Sequence, residues 1–188
     1  MKHLGTLKLE TERLVLRRFV KEDAEAMFNN WANDSEVTKH MTWTPHGDIS
    51  LTKLLIDNWI NDYSKNNNYN WVIELKEEKT IIGSISVVNI NETIEEITVG
   101  YCLGKKWWRQ GYTSEALSRL IKFFFEEVEV NRIEAQHSIF NPNSGKVMQK
   151  CGMKYEGTLL QKGRNGTGQI VDMVSYAILR KDYMKEGC

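Results

Sequence analysis

The residues best suited to chemistry in this chain are Trp107-Trp108-Arg109-Gln110-Gly111-Tyr112-Thr113-Ser114-Glu115-Ala116. A strand end, a loop of small and hydroxylated residues with one basic side chain, and a helix start would gather unpaired backbone N–H groups in one place. That combination suits an anion such as a diphosphate. It is not the Walker loop, because no Gly-Lys-Ser/Thr follows, nor the dinucleotide fingerprint, because Gly111 lacks partner glycines. The competing account is an ordinary strand-to-helix turn in which Gly111 relieves backbone strain. Further on, Asn141-Pro142-Asn143-Ser144 sets an amide and a hydroxyl at the start of a helical pattern, and Glu96 and Glu134 put carboxylates on strand-like segments.

These groups need a scaffold, and the periodicities supply one. Leu14 to Arg17 reads as a short strand, and acids at Glu22 and Asp23 open a helix with Ala24, Met27, Phe28 and Trp31 on one face. A polar loop through His40, Trp43, Pro45 and His46 leads to a second helix, with Ser50 expected as its cap and Leu51, Leu54, Leu55 and Trp59 on it. Trp71–Leu75, Ile81–Ile90 and Ile94–Leu103 read as an antiparallel meander. After the Gly111 loop, Ala116, Leu117, Leu120, Ile121, Phe124 and Val128 mark a helix face. Arg132–Ser138 reads as a strand, Pro142–Lys150 as a helix stopped by Gly152, and Met153–Gln161 and Gln169–Leu179 as strands joined by a glycine-rich loop. The fold class is mixed α/β.

With 188 residues the chain is long enough for one domain, expected to span 1–188 with its core at about 10–183. Lys+Arg and Asp+Glu both number 25, so no global field draws it to nucleic acid or to an anionic membrane. Cys102, Cys151 and Cys188 show no zinc spacing and read as reduced thiols. No charged-then-apolar leader and no membrane-length apolar run is evident, so a cytoplasmic location is expected.

Four segments in this order resemble the GNAT acyltransferase superfamily, and its RimJ/RimL-like branch in particular: Thr11-Glu12-Arg13-Leu14-Val15-Leu16-Arg17; the Gly111 loop; Asn141-Pro142-Asn143-Ser144-Gly145-Lys146-Val147 with Lys150 and Gly152; and Asp172-Met173-Val174-Ser175-Tyr176. Together they cover nearly the whole chain. The family's cofactor loop has the form Gln/Arg-x-x-Gly-x-Gly/Ala, which here aligns with Trp108 to Thr113; Trp108 and Thr113 depart from it and Gly111 is the strict match. The resemblance implies a mostly antiparallel central sheet flanked by helices, with a splayed strand pair. It also implies acetyl-CoA as co-substrate and no metal. Arg109, Gln110, Gly111, Tyr112, Thr113 and Ser114 would then cradle the diphosphate, and the pantetheine arm would pair with backbone at Cys102 and Leu103. Lys146 would reach a peripheral phosphate, and Asn141 would touch the cofactor or orient a water.

Acetyl transfer to an amine needs a deprotonated nitrogen, because an alkylammonium with a pKa of about 10 is charged at neutral pH. Glu96 is the first candidate to take the proton and Glu134 the second; Thr98 stands where RimJ/RimL-like proteins often carry a glutamate. Ser144 is the candidate donor to the departing thiolate, since Met148 occupies the position of the tyrosine found in many relatives. Trp31, His40, Trp43 and Asp172 are expected to border the acceptor pocket. The family favours a protein N-terminal α-amine as acceptor, with a polyamine or an aminoglycoside as alternatives, and a homodimer is allowed. A non-catalytic acyl-CoA sensor is the rival reading, motivated by Thr98 and Met148.

Overall fold

The computed structural model describes residues 1–186, so Cys188 lies outside the described residues. Its centre is an eight-stranded sheet in the order β1-β2-β3-β4-β5-β6-β8-β7. The strands are β1 (Leu9–Glu10), β2 (Leu14–Arg17), β3 (Asn70–Leu75), β4 (Ile81–Asn91), β5 (Glu96–Leu103), β6 (Arg132–Ser138), β7 (Lys154–Arg164) and β8 (Ile170–Leu179). The helices are α1 (Asp23–Met27), α2 (Ser35–Thr38), α3 (Ile49–Asp62), α4 (Tyr112–Phe123), α5 (Pro142–Lys150) and α6 (Arg180–Glu186). α1 continues into a π-turn over Phe28–Ala32 and α4 into another over Phe124–Val128.

Strand alternation divides the sheet into two packed layers. Trp71, Ile73, Ile85, Ile97 and Val99 point to the face covered by Leu117, Leu120 and Phe124 of the α4 segment. Val72, Ile81 and Cys102 belong to a second cluster with Phe19, Trp31 and Ile56 under α1 and α3. Burying both faces accounts for the near-continuous apolar runs of β3 and the first half of β4.

Among the described residues the one parallel pairing is β5 with β6. It lasts four residues, from Glu96–Arg132 to Val99–Ala135, and beyond that point the strands separate. Because the two run in the same direction, both leave the sheet at the same end. The N-termini of α4 and α5 therefore converge on the open gap. This is the splayed pair that the family resemblance implies.

Several local features differ from the sequence expectation. Asp48, not Ser50, caps α3: its carboxylate accepts the Ser50 N–H at 2.7 Å. β7 runs on through Gly163 to Arg164, because these two residues pair with Val171 and Ile170 of β8. β1, α2 and α6 were not anticipated, being either very short or at the end of the helical pattern. Gly152, with φ of 80°, stops α5 as expected.

Candidate functional site

α4 begins at Gly111, whose φ of 84° is the left-handed conformation that glycine adopts freely. Arg109, two residues earlier, is also left-handed at 62°. A side chain held there costs on the order of 1–3 kcal/mol, a strain typical of ligand loops. No side chain caps α4, and its first intrahelical bond runs from the Glu115 N–H to the Gly111 carbonyl at 3.0 Å. The N–H groups of Tyr112, Thr113 and Ser114 thus precede the helical ladder and carry the positive end of its dipole. Such a helix start can receive an anion on main-chain groups alone.

The loop opens onto a cleft of about 540 Å³ along the end of β5, reached by Arg109, Thr113, Asn141, Ser144, Leu103 and His40. Backbone polarity along β5 follows from one bond: the Gly104 N–H donates to the Ile82 carbonyl at 2.8 Å, so Gly104, Cys102 and Gly100 aim their peptide groups at β4. Tyr101 and Leu103 aim theirs at the gap. The Leu103 carbonyl is taken by the Trp108 indole N–H at 2.7 Å, which sets that indole as a wall of the cleft. Cys102 lies with its thiol in the core, where burial pushes its pKa up to about 12. A covalent role for it is thereby disfavoured.

Ser144 sits in the first turn of α5 with its hydroxyl 2.8 Å from the Tyr101 hydroxyl, which also donates to the Ser144 carbonyl at 3.0 Å. Burial drives the Tyr101 phenol above its ordinary pKa, and the Ser144 hydrogen bond only partly offsets that. Tyr101 therefore stays protonated, and its hydroxyl can donate to Ser144 or accept from it. Tyr101 was not among the residues that the sequence singled out. The signal available was its position two residues before Leu103, on the strand next to the loop. Asn141 precedes Pro142 but makes no side-chain cap bond to α5, so its amide is left to the cleft. Burial, followed by the charge on Lys39, holds the His40 imidazole below its ordinary value.

On the other face of the sheet, Glu134 lies opposite Thr98 and one residue before Ala135, the last residue of β6 paired with β5. One of its carboxylate oxygens accepts from the Gln136 amide and from the buried Ser175 hydroxyl, both at 2.7 Å. No Lys, Arg or His among the described residues pairs with it. Its other carboxylate oxygen has no hydrogen-bond partner among the described residues, and the side chain stands one residue before the strands part, outside the lining of the cleft itself.

Some expected site residues are not brought to the cleft. Glu96 starts β5, five residues and about 17 Å from Tyr101 along the strand. It is committed to Arg132, whose guanidinium also grips Glu156 with bonds of 2.6 and 2.5 Å. That ion pair occupies the carboxylate at the far end of the strand. Trp31 is 1% exposed and fills the core beneath α1. Trp43 leans on His46 with ring centres 5.3 Å apart, and its carbonyl abuts Gly166 at the tip of the β7–β8 hairpin. Asp172 accepts the Gln161 N–H at 2.7 Å and so fixes the bulge of β7, where Gln161 has φ of 49°. Gln110 donates to the Lys106 carbonyl, Tyr112 lies under Arg13, Ser114 is buried, and Lys146 is exposed on α5 outside the cleft lining.

No group of three or more His, Cys, Asp or Glu among the described residues is arranged to hold a metal ion, and no described helix is long and apolar enough to cross a membrane.

Comparison with known proteins agrees with this geometry. The acetyltransferase (GNAT) domain family matches residues 13–154. The N-acetyltransferase p20 of Bacillus licheniformis is 35% identical over 176 residues, covering 93% of this chain and 97% of that protein. The ribosomal protein uS5-alanine N-acetyltransferase of Escherichia coli is 27% identical over 159 residues, 80% of each chain. The crystal structure of a GNAT-family acetyltransferase from Bacillus anthracis superposes with a TM-score of 0.81 at 27% identity, covering 93% of this chain and 99% of that one.

Proposed function

The chain belongs to the GNAT acetyltransferase family, and from that premise we propose that it transfers the acetyl group of acetyl-CoA directly to the α-amine at a protein N-terminus. The observation that carries the donor half is the uncapped start of α4 standing at the open end of the β5–β6 gap. The diphosphate sits on the N–H groups that begin α4, and the amide-rich arm pairs with the gap-facing peptide groups of Tyr101 and Leu103 as a short extra strand.

The reaction then has a side for each proton. The acceptor reaches the mouth of the gap on the Glu134 face and gives its ammonium proton to that carboxylate. The neutral nitrogen forms the new C–N bond at the thioester carbon, and the C–S bond breaks. A second proton, released from nitrogen as the amide forms, neutralises the thiolate. Ser144 stabilises the sulfur while its charge lasts. When Tyr101 donates to the Ser144 carbonyl, the Ser144 hydrogen points at Tyr101; when Tyr101 donates to Ser144 Oγ, that hydrogen is released to the cleft. A thiol pKa only a unit or two above neutrality makes such a weak donor adequate. The Tyr101–Ser144 pair supplies a hydroxyl where Met148 cannot, which removes part of the motive for a non-catalytic sensor.

The preference for an α-amine is supported by the name of the relative that acts on an alanine of ribosomal protein uS5. The test is incubation with acetyl-CoA and a mixed panel of N-terminal peptides, polyamines and aminoglycosides, with mass detection of products. Acetylated peptide α-amines are expected. Exclusive acetylation of polyamines or aminoglycosides would move the acceptor class, and tight acetyl-CoA binding without any thiol release would favour the sensor.

A further inference from the structure

Arg13 reaches from the start of β2 to the beginning of α4 and touches the Gly111 loop at three kinds of group. Its Nε and Nη2 bond Glu115 Oε2 at 2.7 and 2.6 Å, its Nη1 donates to the Gln110 carbonyl at 3.1 Å, and its guanidinium lies 4.3 Å over the Tyr112 ring. The Arg13 backbone N–H and the Thr11 hydroxyl bond the other Glu115 oxygen at 2.9 and 2.5 Å. All of this lies on the far side of the loop from the acyl cleft, where Arg13 and Tyr112 line a separate hollow of about 220 Å³.

Two physical consequences follow. The peptide between Gln110 and Gly111 is trans, as are all the described peptide bonds, so its C=O and N–H point in opposite directions. Holding the Gln110 carbonyl towards Arg13 turns the Gly111 N–H away from Arg13. Second, Glu115 is an anion in the first turn of α4, where it would repel a bound diphosphate. Burial raises its pKa, yet hydrogen bonds from Thr11 and Arg13 outweigh burial and keep it ionised. The guanidinium then cancels that charge locally.

We infer that Arg13 is a positioning residue for the donor site, a bracket that orients the Gly111 N–H and neutralises Glu115 so that the start of α4 accepts a diphosphate. This rests on the reading of the loop as the diphosphate site. The side chain contacts the loop and not the reacting atoms, so its effect is on donor affinity. Lysine cannot replace it, because a single ammonium cannot hold Glu115 and the Gln110 carbonyl in one fork.

The test is calorimetric titration of wild type, Arg13→Ala, Arg13→Gln and Arg13→Lys with acetyl-CoA, together with amide resonances of the free proteins. All three variants are expected to weaken acetyl-CoA binding about tenfold, the equivalent of one charge-assisted hydrogen bond. The Gly111 amide resonance should move in the free variants while those of Leu117 to Ile121 stay in place. Arg13→Gln keeps the stem over Tyr112 and serves if Arg13→Ala does not fold. Undiminished affinity in the variants, full rescue by lysine, or an unmoved Gly111 resonance overturns the bracket. Failure of the wild type itself to bind acetyl-CoA overturns the diphosphate reading instead, so the two failures are distinguishable.

Discussion

The two halves of the proposed site are built from different materials. The donor half is main chain: the N–H groups at the start of α4 and the gap-facing peptides of β5, braced from behind by Arg13 and Glu115. The acceptor half is side chain: Glu134 oriented by Gln136 and Ser175, with Ser144 and Tyr101 on the opposite face. A main-chain site depends on backbone angles, so it tolerates Trp108 and Thr113 in a loop whose relatives carry other residues. A side-chain site depends on the identity of a few groups, and each can be removed singly.

Substitutions that separate the halves should differ in what they lose. A Cβ at Gly111 would make only ordinary contact, 3.5 Å from the Arg13 side chain, but Gly111→Val forces a β-branched residue into a left-handed angle. It should weaken acetyl-CoA binding by about a hundredfold or more by calorimetry while the protein stays folded. Normal affinity would break the comparison. Glu134→Gln should leave acetyl-CoA affinity within about twofold and lower turnover at neutral pH about a hundredfold, the scale of a lost general base. Ser144→Ala should lower kcat about tenfold with little change in donor affinity, as expected for one weakened hydrogen bond in the transition state. Equal activity would remove Ser144 from the mechanism.

Glu96→Gln sharpens the contrast from outside the cleft. It should reduce stability by about 1–3 kcal/mol in denaturant titration, because Arg132 loses a part-buried partner, and leave kcat within about twofold. The smallest effect concerns pH. The folded pKa of Glu115 lies below its ordinary value, so its contribution to stability is complete above the unfolded pKa of about 4.3 and is lost only as pH falls through the lower folded value. The ratio of acetyl-CoA affinities of wild type and Arg13→Gln should therefore be flat from about pH 5.5 to 8 in calorimetry, since titration of the ligand phosphate or of His40 affects both proteins alike; a change of that ratio within the range would contradict an ionised Glu115.

The same division explains what the sequence made legible. Gly111, Pro142 and Gly152 carry backbone instructions that act within a few residues, and each stands where its type predicted. The turn and the helix start at Gly111 were readable for this reason. Glu96 was misread because its partner Arg132 lies 36 residues away and meets it only through the parallel register of β5 and β6. Trp31 and Asp172 were misread in the same manner: one is a core filler and the other a clasp for the β7 bulge, and both partners are set by tertiary packing. Tyr101 was overlooked because alternation assigns a face to a side chain but does not reveal that a serine on α5 waits there.

The most direct test is the pH dependence of kcat/KM for wild type and Glu134→Gln, measured from pH 6 to 10 with acetyl-CoA and an N-terminal peptide acceptor. A terminal α-ammonium has a pKa of about 8, so Glu134 should matter most below that value and progressively less above it. The account predicts profiles that converge as pH rises, with the variant regaining most of its lost rate near pH 10. Parallel profiles, with the same factor lost at every pH, would contradict a proton-accepting role for Glu134.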